Sequence, residues 1–154
     1  MLARLAITLI APIALFASTP AAAQADGIIR VRSGYSMPET IARIRQDVAA
    51  KGIMFFSEVD QAALAAGAGV KLRPSTLLTF GNPGLGTLFI TAKPEAGLDW
   101  PVRLLVTQDD DGAVWAVYTD FKWIAARHGI RDRDSEFAMA TRVIGSITAA
   151  VAAH

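Results

Sequence analysis

Tyr118, Asp120 and His128 are the one group in this sequence whose side chains could pass a proton between a phenol, a carboxylate and an imidazole. Their spacing works against it. Eight positions separate Asp120 from His128, about 12 Å along a straight helix at 1.5 Å per residue, too far for a direct hydrogen bond. Each also has an ordinary structural use, Asp120 as a helix N-cap and His128 as a last-turn residue at the negative end of the helix dipole. Glu58 and Asp60 stand at i and i+2 and share one side if the strand continues through them. They offer either a carboxylate pair for acid–base work or a rim glutamate beside a helix cap. Asp60, Tyr118, Asp120 and His128 are therefore the catalytic candidates, and no complete catalytic motif joins them.

The stretch TFGNPGLGTLFI, Thr79 to Ile90, raises a second chemistry, because three glycines and a proline between apolar runs can cradle a phosphate. Gly81 to Gly86 meets the G-x-x-x-x-G half of a phosphate loop. Thr87 stands where the lysine is required and Leu88 where the metal-binding hydroxyl is required, so nucleotide binding of that kind is excluded. Read as a dinucleotide fingerprint from Gly84, the last glycine falls on Phe89 and the motif fails again. What remains is a strand-to-helix turn whose glycines adopt conformations other residues avoid and whose helix amides could hold a weak anion. Gly81, Asn82, Gly84, Gly86 and Thr87 are the ligand-binding candidates. Phe55, Phe56, Phe80, Phe89, Trp100, Trp115 and Phe121 either fill the core or line an apolar pocket.

Composition removes whole classes of activity. The chain has no cysteine, which excludes thiolate nucleophiles, redox pairs, thiolate-ligated zinc and iron–sulfur clusters. It has two histidines, His128 and His154, so H-E-x-x-H cannot be built. The acidic run Asp109-Asp110-Asp111-Gly112 lies between apolar segments and lacks the later ligands of a calcium loop; it reads as a hairpin turn. No metal and no cofactor are expected.

Residues 1–25 read as a secretory leader: Arg4, an apolar run from Leu5 to Ala17, then small residues before a cut after Ala25 or Ala23. The run is interrupted by Pro12 and falls short of the roughly 20 residues needed to span hydrocarbon. A lipid anchor would need a cysteine at the cut. The mature chain is thus expected to be periplasmic or secreted, with no membrane insertion after cleavage. Losing Arg4 takes the formal net charge from +1 to zero, leaving no basic excess for nucleic acid. Residues 26–154 suit a single domain.

Local patterns then place the candidates. Ile28 to Ser33 alternates as a half-buried strand; Ser36-Met37-Pro38-Glu39 has capping-box spacing for a helix closing at Lys51-Gly52. Met54 to Val59 reads as a strand, Asp60 as the cap of a short helix from Gln61 to Ala66, and Ser75 to Phe80 as a strand entering the glycine loop. Thr87 to Lys93 reads as a short helix. Val102 to Gln108 and Ala113 to Thr119 form a hairpin about the acidic turn. Asp120 caps a helix ending at His128 and Gly129, and a last helix covers residues 135–153. This order predicts an α+β fold, a two-layer sandwich with a mixed sheet of about five strands and helices on one face.

Leu72-Arg73-Pro74-Ser75-Thr76, Phe80-Gly81-Asn82-Pro83, Gly86-Thr87, Pro94, Gly97-Leu98-Asp99, Pro101, Tyr118-x-Asp120 and Ala126-Arg127-His128-Gly129 together resemble the Domain of Unknown Function 302 family over residues 28–130. The resemblance implies a small α+β domain that pairs as a homodimer, and it implies no activity. Where the family commonly has Ile-Asp-His this chain has Val59-Asp60-Gln61, which removes a titratable ligand from that position. Two functions stay open: an exported module that binds a small anionic or apolar ligand or a partner without catalysis, and a small hydrolase or isomerase-like enzyme using acidic, Tyr and His side chains.

Overall fold

The computed structural model describes residues 26–153, so the expected leader, both of its expected cleavage positions and His154 lie outside the described residues. The elements run β1 (Ile28–Arg32), α1 (Met37–Ala50), β2 (Met54–Asp60), α2 (Gln61–Gly67), β3 (Ser75–Gly81), α3 (Pro83–Ala92), a 3-10 turn (Pro94–Leu98), β4 (Val102–Gln108), β5 (Val114–Thr119), α4 (Phe121–His128) and α5 (Asp134–Ala149). They build an α+β sandwich. Its sheet has the order β1-β5-β4-β3-β2, and every neighbouring pair is antiparallel.

The expected mixed sheet is corrected here: strands linked through helices suggest parallel neighbours, and this sheet has none. The short α2 reverses the chain between β2 and β3, while the parallel pair β1 and β2 is split to opposite edges with α1 crossing between them. An antiparallel sheet can leave one face open. The ladder sets Leu78, Phe80, Leu104, Val106, Val114 and Ala116 on one side, and all six are buried. Ile44 and Val48 of α1 and Phe137, Ile144 and Ile147 of α5 close over them. The opposite face carries the exposed Arg30 and Arg103 between the half-buried Leu77, Leu105 and Val117.

Helix starts depend on local chemistry, and two match expectation while two depart from it. Asp60 accepts from the Ala63 amide at 2.9 Å and Asp120 from the Lys122 amide at 3.1 Å, as capping requires. Ser36 makes no cap bond, and Glu39 turns to Arg43 at 2.9 Å instead of reaching back. α3 begins at Pro83, four residues before the expected Thr87, because Asn82 caps it through Leu85 at 3.2 Å. At the other end of the chain α5 stops at Ala149, short of residue 153, and the backbone then returns so that Ala152 bridges Ser33 beside β1. Among the described residues no helix is long and apolar enough to cross a membrane.

Candidate functional site

The glycine loop joins β3 to α3, and its glycines serve space rather than backbone conformation. None of Gly81, Gly84 and Gly86 has a positive φ, so the expectation of conformations closed to other residues is corrected. Trp100 is the reason for two of them. A Cβ on Gly86 would lie 1.9 Å from the Trp100 indole, and one on Gly81 would lie 3.0 Å from it. The ring is seated between both residues and meets Phe56 edge to face, with centroids 5.8 Å apart. A Cβ on Gly84 would meet only Asn82 Oδ1, at 3.2 Å, and the exposed Thr87 hydroxyl donates back to the Pro83 carbonyl at 2.8 Å.

Beside this loop a pocket of about 330 Å³ opens between the end of the sheet, α3 and α5. It reaches down to Phe80, Phe89 and Ile144, all buried, and Gly81 and Asn82 form part of its wall. Two of the five predicted ligand residues thus line it directly, and Gly86 shapes it through Trp100. Gly84 faces a neighbouring recess, and Thr87 lines neither. Of the aromatic candidates, Phe80, Phe89 and Phe121 serve both core and pocket wall, with Phe89 stacked on Phe137 at 4.3 Å.

The residue behind Trp100 organises a second cluster that the sequence patterns do not reveal. Asp99, with 3% of its side chain exposed, accepts from His128 Nε2 at 2.7 Å, from Arg103 at 2.8 Å and from Arg127 at 3.2 Å. His128 is itself 6% exposed. It is therefore a buried hydrogen-bonding partner as well as a last-turn residue, and its contact ties α4 to the loop that carries Trp100. Asp99 stands in the family-like Gly97-Leu98-Asp99, yet nothing local links it to a histidine twenty-nine positions away. This geometry holds a loop; no hydroxyl among the described residues is bonded to His128 to act as a nucleophile.

The remaining catalytic candidates are scattered. Asp120 caps α4, and Tyr118 lies on β5, where burial pushes its phenol above the usual range, the Thr148 hydroxyl opposing that rise and Asp120 adding to it. Such a phenol stays protonated at neutral pH. Asp60 caps α2, and Glu58 pairs with Arg45 at 2.6 Å, so each carboxylate is engaged with a partner of its own. Both line a groove of about 960 Å³ at the opposite end of the sheet, with Arg32, Tyr35 and Gln108. Gln61, where the family-like histidine is absent, accepts from Ser75 at 2.7 Å and pins the start of β3. The acidic turn is a hairpin turn: Asp109 accepts from the Asp111 and Ala113 amides and from the Trp115 indole at 2.8 Å.

A five-stranded antiparallel sheet backed on one face by helices defines a small two-layer α+β domain. The chain belongs to the DUF302 family, "Domain of unknown function DUF302", whose model matches residues 29–153 and so takes in α5. The crystal structure of an uncharacterized conserved DUF302 protein from Bacillus stearothermophilus is similar in fold, with a TM-score of 0.75 at 16% identity over 82% of this chain and 99% of that one. Proteins called fluoride-specific ion channel FluC 1 in Brucella suis and Brucella abortus are 38% identical to it over 123 residues, 80% of this chain. Those residues make up 48% and 45% of the two proteins. The chain spans about half the length of the curated relatives it matches.

Proposed function

We propose that this domain binds a small, largely apolar ligand in the pocket beside the glycine loop, without transforming it. The carrying observation is the pocket itself: about 330 Å³, walled by aromatic and aliphatic side chains, and edged by a few polar groups, as small-molecule sites are. The scatter of Asp60, Tyr118, Asp120 and His128 supports binding over catalysis. Location and assembly belong to the same reading. The domain works after export, as the leader-like residues 1–25 suggest, and pairs two-fold through the edge strand β2, where Met54 and Phe56 stand exposed.

The test is thermal. Uncharged 1-octanol and toluene, at concentrations that leave an unrelated control protein unchanged, are expected to raise the melting temperature by mass action. Ala140→Met, which fills the pocket from α5, should abolish that rise while leaving the far-UV circular dichroism intact. Unchanged melting with both probes defeats the reading.

A second reading has one specific observation in its favour. In the Brucella relatives a similar segment forms about half of chains named as fluoride channels. This domain is then an extramembranous companion to a membrane channel, and co-purification with such a channel from the same cell would be its signature.

A further inference from the structure

Resting on the pocket reading, we infer that the ligand is an amphiphile whose head accepts hydrogen bonds and carries negative charge, in the manner of a medium-chain or aromatic carboxylate. The chemistry of the cavity lining is the first ground for it. No carboxylate, hydroxyl or histidine belongs to its wall, and the side chains there that carry polar hydrogens are Lys51, Asn82 and Trp100. All three are donors. Asn82 Oδ1 is committed to the Leu85 amide at 3.2 Å, which turns its NH₂ group away from that contact, and no described residue accepts from it. Trp100 Nε1 likewise has no partner among the described residues. Lys51 Nζ spends two of its three hydrogens on Asp47, each at 2.6 Å, and keeps one.

Two further features bear on the head group, in opposite senses. α3 is capped by Asn82, so the positive end of a ten-residue helix lies at the pocket rim and favours an anion. Glu136 faces the adjoining recess that shares Asn82, Leu85 and Met139, and its charge opposes one. Glu136 is bonded to Ser135 at 2.7 Å and does not line the pocket itself, so the donor set prevails inside. Size comes from volume: an engineered apolar cavity of about 150 Å³ holds benzene, so one of about 330 Å³ takes a body about twice as large. An octyl chain or a naphthyl ring meets that measure.

Isothermal titration of the folded domain with octanoate, octylammonium, 1-naphthoate and 1-octanol separates the possibilities. Octanoate should bind about tenfold more tightly than octylammonium, the advantage of a hydrogen bond to a charged acceptor. Asn82→Asp keeps the cap of α3 and replaces the donor with a charge, so it should reverse that preference; Lys51→Gln should weaken octanoate and leave 1-octanol unchanged. A stronger response to 1-naphthoate than to octanoate marks a flat ring as the body and the reverse a flexible chain; either supports the anionic head only where octanoate also outbinds octylammonium. Octanol binding with equal octanoate and octylammonium affinities overturns the head-group inference alone. Failure of every probe, or octanoate binding that survives Ala140→Met, overturns the pocket reading with it.

Discussion

The two ends of the sheet are built from the same strands and have opposite characters. Where β1, β2 and β4 meet the groove, the lining holds Arg32, Glu58, Asp60 and Gln108, and nearly every one of these groups has a partner of its own or faces water. Where β3 enters α3 and β4 begins, the strands end among aromatics, and polarity shrinks to three donors. The difference originates in the segments that connect the strands. At the polar end the chain turns through short, exposed segments, α2 and the acidic hairpin, that bury nothing large. At the apolar end it passes through Trp100 and α3, both of which pack against α5 or the loop. A larger cavity is thus the less promising one, because burial of apolar surface and not volume alone gives a ligand its binding energy.

The contrast breaks most severely at Gly86. Any side chain there must displace an indole that is itself wedged against Gly81, so Gly86→Val is expected to destabilise the fold by about 3 kcal/mol, the upper range for overpacking. Gly67, with open space around its missing Cβ and no positive φ, is the control: Gly67→Ala should be neutral or slightly stabilising through helix propensity. Urea denaturation of the two variants side by side measures both. Equal losses would mean that Trp100 is not seated as described.

Next in size is Asp99→Ala. It strands two arginines and a buried imidazole around an empty position; the half-exposed arginines can return to water, but His128 cannot, and a cost of about 2 kcal/mol is expected from an unsatisfied buried donor. His128→Ala should cost similarly, more than a helix-end residue would, because it leaves Asp99 short of a partner. Both should weaken octanoate through movement of Trp100, a loss readable as altered tryptophan emission. A double variant that costs no more than either single one identifies the pair as one interaction.

Asp60 tests the polar end. Losing its cap on α2 should cost about 1 kcal/mol and leave ligand binding at the other end untouched. Ser36→Ala, by contrast, should cost little, since Ser36 makes no cap bond.

Which parts of this molecule are legible in its sequence depends on how far apart the interacting residues lie. Asp60 and Asp120 are legible as caps because a cap and its amide are two or three residues apart, and the β4–β5 hairpin is legible from alternation about the acidic turn. The two-layer α+β class is carried by element order. Sheet order is not, because nothing local says that β1 and β2 belong on opposite edges. In the site, Gly81 and Asn82 stand out as a loop, but their use does not: glycine in a sequence signals conformation, whereas a tryptophan fourteen positions after Gly86 supplies the real constraint. Asp99 with His128 is hidden for the same reason.

The smallest expected effect belongs to acid and to the polar end alone. The Trp115 indole donating to Asp109 holds this carboxylate below its usual range; the Ala113 and Asp111 amides and Arg30 act the same way, and partial desolvation opposes them. A folded pKa that is depressed relative to the unfolded chain means that the carboxylate stabilises the hairpin above the unfolded value, and that this contribution is lost as pH falls through the folded one. The window lies below about pH 4, where an unperturbed aspartate already protonates. Protonation of the turn should therefore leave the apolar pocket unaffected: carbon-detected titration of Asp109 should show a midpoint below the ordinary aspartate value, and octanol binding should persist across it. Asp109→Asn keeps an acceptor for the indole but removes the charge, so its hairpin should lose the acid dependence while keeping its strand pairing. If the pocket and the hairpin titrate together, the two ends are coupled and the division between them fails.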